Sequence, residues 1–206
     1  LRQPELFKDD EPLEIRIDPD SQARTLSIHD NGIGMSRDEV VSHIGTIAKS
    51  GTRELMEKLK EKSDADSATE LIGQFGVGFY SAFMVASKVT VITRRAGEDT
   101  ATRWESTGEG EYTIEGTQRD THGTTVTLEL LPTDREGGIA DFTDQWVLSR
   151  TVKRYSDFVT FPIILKVVRE EVEKDEQGQP KPDGQKSTVV EDKTLNTMKP
   201  IWTRSD

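Results

Sequence analysis

The chain contains no cysteine, which excludes disulfide staples and thiolate zinc sites. Histidine is almost as scarce: His29, His43 and His122 are the only three, too dispersed in sequence to suggest a metal cluster. Basic residues are outnumbered, with 27 Lys plus Arg against 38 Asp plus Glu and a formal charge of -11. Such a surface is unsuited to tracking nucleic acid or an anionic membrane. A polyanionic ligand would need local help from backbone amides or a metal ion. No apolar run approaches the ~20 residues of a membrane span, and no apolar core behind a charged start marks a secretory signal. There is no internal repeat. The lack of cysteine fits a reducing cytoplasm.

What is present suits one domain, since 206 residues are enough to bury a core. Leu13, Ile15 and Ile17 alternate with Glu14, Arg16 and Asp18, and the turn-rich "DPDSQAR" leads into "TLSIHD", which predicts a β-hairpin. Ser36 followed by Glu39 forms a capping-box pattern ahead of Val40, Val41, Ile44 and Ile47, so a helix is expected there. "RELMEKLKEK", from Arg53 to Lys62, reads as a second, surface helix, and the polar "SDADSATE" after it as a loop. "LIGQFGVGFYSAFMVA" reads as a glycine turn followed by a buried helix. "SKVTVITRR", "TRWEST", "EYTIEG" and "GTTVTLELL" suggest an antiparallel meander. A longer helix is expected from Asp141 to Val159, then a strand in "FPIILKVV". The Pro- and Gly-rich "REEVEKDEQGQPKPDGQKS" marks a linker or hairpin tip.

The chemistry concentrates in "DNGIGMS", Asp30 to Ser36. Leu26, Ile28 and Asp30 share one side of their strand, so the carboxylate points the same way as the core. Such burial costs several kilocalories unless the acid is paired or hydrogen-bonded. Two readings stand at this point: a strand-end acid that caps a turn, or an acid whose partner is a ligand. Thr124 shares a face with Val126, Leu128 and Leu130, a second polar group at a strand end on an apolar side. In "GQFGVGFYS" the amides from Gly73 to Phe79 could face an anion. Gly76, Gly78 and Ser81 match the dinucleotide fingerprint only in part, without the strand that should precede it. "GTIAKSGT" has its lysine and glycines in the wrong order for a phosphate loop. Lys49 either reaches a phosphate or is one more solvated lysine.

Taken together and in this order, "DNGIGM", "IGTIAKSGT", "LIGQFGVGFYSAFMVASKVTV", "WES" with "GEYTI", and "GTTVTL" closely resemble the N-terminal domain of the heat-shock protein 90 chaperones, nearest the bacterial HtpG type. The resemblance covers nearly the whole chain. It implies an α+β fold: the two-layer α/β sandwich shared with gyrase-type topoisomerases, sensor histidine kinases and MutL mismatch-repair proteins, a mainly antiparallel sheet with helices on one face. Residues 1–170 would form the nucleotide-binding domain without its first helices, with a mobile lid at about 46–76. Residues 171–206 would be a charged linker and the start of a middle domain.

The ligands implied are ATP or ADP with Mg2+. By resemblance, Asp30 accepts a hydrogen bond from the adenine exocyclic amine, and Gly34 and Thr124 complete the polar patch, partly through water. Met35 and Phe79 would pack around base and ribose. Gly76, Val77, Gly78 and Phe79 would offer amides to the phosphates, and Lys49 belongs to the lid. The family's helix of the form E-x-x-x-N-x-x-D, with the glutamate that activates water and the asparagine that binds magnesium, is expected immediately upstream of "LRQPELF". No catalytic residue and no metal ligand is therefore assigned within this chain, which is expected to be inactive by itself and part of a longer protein. The partners implied are unfolded or partly folded client proteins and a second copy, joined through domains outside this chain; neither nucleic acid nor membrane is expected. A topoisomerase or histidine kinase of the same superfamily, and a binding module without catalysis, are the alternatives.

Overall fold

The computed structural model describes residues 12–45, 78–134, 138–172 and 186–199. The first alternating segment forms β1 (Ile15–Asp20) and "TLSIHD" forms β2 (Thr25–Asp30), antiparallel with Ile15 opposite Asp30. The turn between them is shorter than the polar stretch suggested, because Asp18, Pro19 and Asp20 stay in the strand. Asp20 Oδ1 accepts from the amides of Gln22 and Ala23, both at 2.8 Å, and Arg24 closes the turn at φ 52°. Pro19 is tolerated because the strand on the far side of β1 pairs only with Ile15, Arg16 and Ile17.

Ser36 caps helix α1 (Arg37–Val40) through the expected reciprocal pair: its Oγ accepts from Glu39 N at 3.3 Å, and Glu39 Oε2 accepts from Ser36 N at 2.8 Å. The helix is shorter than its pattern suggested. After Val40 the backbone widens into a π-helical turn, Val41–Gly45. Val40 and Ile44 are buried while Val41 is exposed, so the apolar residues of this stretch do not share one face. Ile47, the expected helix from Arg53 to Lys62 and the polar loop after it lie outside the described residues.

The segment after the glycine turn is a 3-10 helix, Gly78–Met84, rather than a longer helix. Strand β3 (Ala86–Arg94) begins two residues later, and its β-branched "VTV" favours the pleated surface. Then follow β4 (Ala101–Ser106), β5 (Thr113–Thr117), β6 (Gly123–Leu130), helix α2 (Gln145–Tyr155), β7 (Ile163–Val172) and β8 (Lys186–Thr194). The eight strands form one sheet in the order β5-β4-β3-β6-β2-β1-β7-β8. All neighbours are antiparallel except β1 and β7. Only β3, β4 and β5 make the expected meander. The fourth segment, β6, turns back and inserts between β3 and β2.

Register defines two faces. Leu128 lies opposite both Leu26 and Val89, Val126 opposite Ile28 and Val91, and Trp104 opposite Val91 and Ile114. Onto this apolar face pack Val40 and Ile44, Phe79, Ala82 and Phe83 of the 3-10 helix, and Leu148 and Val152 of α2. Helices and core thus occupy one side of a mainly antiparallel sheet, an α+β architecture. The other side carries Arg16, Asp18, Ser27, His29, Lys88, Thr90, Arg103, Glu105, Thr125 and Thr127, and is laced with ion pairs such as Lys88 Nζ with Glu129 at 2.9 Å and Glu105 at 3.2 Å.

Helix α2 starts later and ends earlier than its pattern suggested. Asp144 Oδ1 caps it by accepting from Trp146 N at 2.7 Å and Val147 N at 3.0 Å. Leu148 and Val152 form its buried stripe, leaving Trp146 and Tyr155 exposed. The charged stretch after "FPIILKVV" begins inside β7, which runs on to Val172 and pairs there with Lys186 at the start of β8; residues 173–185 lie outside the described residues.

The connection from α2 to β7 is held by one buried amide. Asn196 Oδ1 accepts from Ile163 N at 2.8 Å, and its Nδ2 donates to Val159 O at 2.8 Å and Phe161 O at 2.9 Å. Asn196→Asp keeps the shape but turns a carboxylate oxygen toward two carbonyls. The expected loss is about 3 kcal/mol, read as a lower urea midpoint at unchanged slope; a loss below about 1 kcal/mol would show that the connection does not depend on this amide.

Candidate functional site

The insertion of β6 between β3 and β2 aligns polar residues on the apolar face. Asp30 lies opposite Thr124, Thr124 opposite Thr93, and Thr93 opposite Thr102. This row crosses four strands at the end where the apolar rows stop. Thr93 is fully buried and Thr102 nearly so. Thr93 was not among the residues read from the sequence, yet the same signal marks it: in "VTVITR" it shares the face of Val89 and Val91 at a strand end.

Asp30 is held closely. Its Oδ1 accepts from Gly32 N at 2.9 Å and from Thr124 N at 3.2 Å. No hydrogen bond to its Oδ2 is made among the described residues. Thr93 Oγ1 accepts from Met35 N at 2.9 Å and lies 3.1 Å from both Gly123 O and Thr124 Oγ1. The acid, the turn after it, the end of β3 and the start of β6 therefore form one network.

Two glycines permit that closeness. Gly34 adopts φ +68°, and a Cβ there would stand 2.0 Å from Arg94 O. At Gly123, with φ +110°, a Cβ would stand 2.1 Å from Asp30 O. Both neighbours are backbone atoms of sheet strands and cannot withdraw. The loop is also tied to the end of β3 by Ala96 N donating to Ile33 O at 2.8 Å and by the ion pair of Arg95 with Glu39.

Of the other residues expected in the site, Met35 and Phe79 are half-buried against the core cluster. Phe79 meets Trp104 edge-on, with ring centroids 5.5 Å apart. Gly78 opens the 3-10 helix that carries Phe79. Lys49, Gly76 and Val77 lie outside the described residues. Among the described residues, no group of three or more His, Cys, Asp or Glu could hold a metal ion, and no helix is long and apolar enough to cross a membrane. Two cavities elsewhere do not border Asp30: a groove between α2 and the β7–β8 hairpin lined by Trp146 and Val167, and an open polar trough on the opposite sheet face around Asp18, Ser27 and His29.

A carboxylate with one oxygen saturated by amides, on an apolar face beside buried threonines, suits recognition of a flat ligand edge that bears a hydrogen-bond donor. A family model described as histidine kinase-, DNA gyrase B- and HSP90-like ATPase matches residues 9–129, a span that includes this entire row. The chain belongs to this ATPase family. Such a domain binds ATP and ADP, which supplies the ligand class that the geometry leaves open.

The chain is also 51% identical over 204 residues to the chaperone protein HtpG of Mycobacterium tuberculosis (strain ATCC 25618 / H37Rv), covering 99% of this chain and 31% of that protein. It is 53% identical over 205 residues to the chaperone protein HtpG of Salinispora tropica, covering 100% of this chain and 30% of that protein. The chain therefore spans about a third of the length of these curated relatives.

Gly34→Ala meets both a left-handed backbone and the Arg94 carbonyl, whereas Gly138→Ala meets a left-handed backbone with nothing within 4 Å. The second is expected to cost about 1 kcal/mol and the first at least about 3 kcal/mol in denaturant unfolding. Equal costs would mean that the loop can retreat from β3.

The Arg95 guanidinium, and then the Ser36 amide, hold the Glu39 carboxyl down to about 2 against an ordinary 4.5. A folded-state value below the unfolded one gives stability that is present above pH 4.5 and fades as pH falls toward 2. Both side chains are about a third exposed, so solvent screens the effect. Glu39→Gln should make stability less dependent on pH across this window; an unchanged acid limb in pH-dependent unfolding would contradict it.

Proposed function

We propose that this chain is the ATP-binding section of an ATP-dependent chaperone of the HtpG type, with Asp30 as the group that recognises adenine. The observation that carries the reading is the Asp30 carboxylate: it sits on the apolar face, has Oδ1 engaged by two amides, and has Oδ2 free of hydrogen bonds among the described residues. An exocyclic amine is the donor this arrangement lacks. Thr124 and Gly34 complete the polar patch, and Met35 and Phe79 line the apolar surround.

In this reading the residues of the chain bind and orient. Gly76, Val77, Gly78 and Phe79 offer amides to the phosphates, and Lys49 lies on a lid at about 46–76 that closes over the nucleotide. Bound ATP supplies the phosphoanhydride whose cleavage drives the cycle. No described residue is assigned as the acid that would activate water. No described residue is assigned to the metal. Residues 171–206 lead toward a middle domain, a homodimer forms through further domains, and the clients are unfolded or partly folded proteins of the cytoplasm. The HtpG relatives support the chaperone assignment over a topoisomerase or histidine kinase.

Calorimetric titration of magnesium ADP into the full-length protein tests the reading. Saturable binding is expected, weakened at least about tenfold by Asp30→Asn, since a carboxylate acceptor contributes on the order of 1.5–3 kcal/mol. Undiminished binding by the variant would remove Asp30 from the adenine site.

A further inference from the structure

Asp30 is gripped from a direction the family motifs do not include. The loop between β5 and β6 carries Arg119 and His122, and both reach the turn after β2. Arg119 Nη2 donates to Asp30 O at 3.3 Å, Nη1 to Ile92 O at 3.2 Å and Thr125 Oγ1 at 2.6 Å, and Nε to Thr121 O at 3.0 Å. One guanidinium thus ties its own loop to β2, β3 and β6. His122 Nδ1 donates to Gly32 O at 2.7 Å.

We infer that Arg119 and His122 are positioning residues for base recognition: by fixing the carbonyls of Asp30 and Gly32, they set the direction in which the Asp30 carboxylate faces its ligand. This inference rests on the reading of Asp30 as the adenine acceptor.

The chemistry of the loop argues for more than turn closure. Arg119 is half-buried, its acceptors are all neutral, and no carboxylate lies within ion-pair reach among the described residues. Burial disfavours its charge, an effect opposed by the negative charge of Asp30. A half-buried cation among carbonyls is a costly way to close a surface turn, but a fork of donors in one plane fixes several acceptors together. Gly123 adds the steric half of the grip, since only a hydrogen fits between it and Asp30 O. The Asp30 residue is thereby held at its carbonyl by Arg119 and at Oδ1 by Gly32 and Thr124. The carboxylate has little freedom to turn. A group placed within hydrogen-bond range of an exocyclic amine discriminates only while its direction is fixed.

The test titrates ADP and inosine diphosphate, in which a carbonyl replaces the amine, into the full-length protein and its variants. Wild type is expected to prefer ADP, and Asp30→Asn to abolish the preference. Arg119→Met and His122→Ala should each weaken ADP about tenfold while leaving inosine diphosphate nearly unchanged, so the ratio falls. His122→Asn, whose amide can still donate to Gly32 O, should restore the ratio. Arg119→Lys keeps the charge without the fork and should restore little. A role confined to folding would lower stability and leave the ratio of the folded protein intact.

An unchanged ratio in Arg119→Met and His122→Ala, with Asp30→Asn still abolishing it, overturns the positioning role and spares the adenine reading. No preference in wild type, or a preference that survives Asp30→Asn, overturns the adenine reading and the inference with it. Should Arg119→Met fail to fold, the His122→Ala and His122→Asn pair decides, and equal ratios in the two overturn the inference.

Discussion

A carboxylate on the apolar face of a strand is the constraint around which this fold is arranged. Asp30 cannot sit beside Ile28 and Val126 as an unsatisfied charge, and the sheet order answers that problem. Had β6 continued the meander beyond β5, three strands would separate Thr124 N from Asp30. Its return between β3 and β2 brings that amide to Asp30 Oδ1 at 3.2 Å. The same return puts Thr93 beside Thr124 and under the amide of Met35. Gly34 and Gly123 then follow as necessities, because strand ends drawn this close leave no space for a Cβ. Topology, glycine placement and the polar row have one cause.

Much of this was legible in the sequence because its signals are local. The capping box of Ser36 and Glu39 needs only four residues, and the β1–β2 hairpin only period-two alternation around a polar turn. Asp30 and Thr124 stood out as polar positions on apolar strand faces. What escaped depends on tertiary context. The place of β6 in the sheet is a choice among neighbours, and no residue in "GTTVTLEL" names its partner. The 3-10 helix at Gly78–Met84 reads as a longer helix until β3 claims Ala86. On α2, Trp146 and Tyr155 fall near helical spacing with Val152 but lie exposed, because Leu148 and Val152 suffice to seal that short helix to the sheet. Thr93 was missed although its signal equals that of Thr124. It lies within "VTVITR", where flanking β-branched residues make a threonine look ordinary.

Charge raises a separate question, since a chain of formal charge -11 is a poor host for a polyanion. In the reading proposed for Asp30, the site separates two tasks. Base recognition uses a negative group, matched to a donor on the ligand, and gains nothing from positive potential. Phosphate binding is the task that conflicts with the acidic surface, and backbone amides, a lysine or a metal ion can meet it locally. Specificity and net charge can therefore evolve apart.

The two ends of such a site also differ in what they can do mechanically. The end proposed for the base is written into sheet register: Asp30, Thr124 and Thr93 belong to three adjacent strands, and a change of direction at one of them would break ladder pairing at the others. A ligand arriving there finds its partners already fixed, so little of its binding free energy goes into ordering them. A group that keeps one position whether or not the ligand is bound favours neither of two conformations. In the proposed reading, a nucleotide-driven change therefore begins at the phosphate end. Rigidity around Asp30 and mobility elsewhere are then complementary requirements: the first lets the base be chosen, and the second lets the choice have a mechanical consequence.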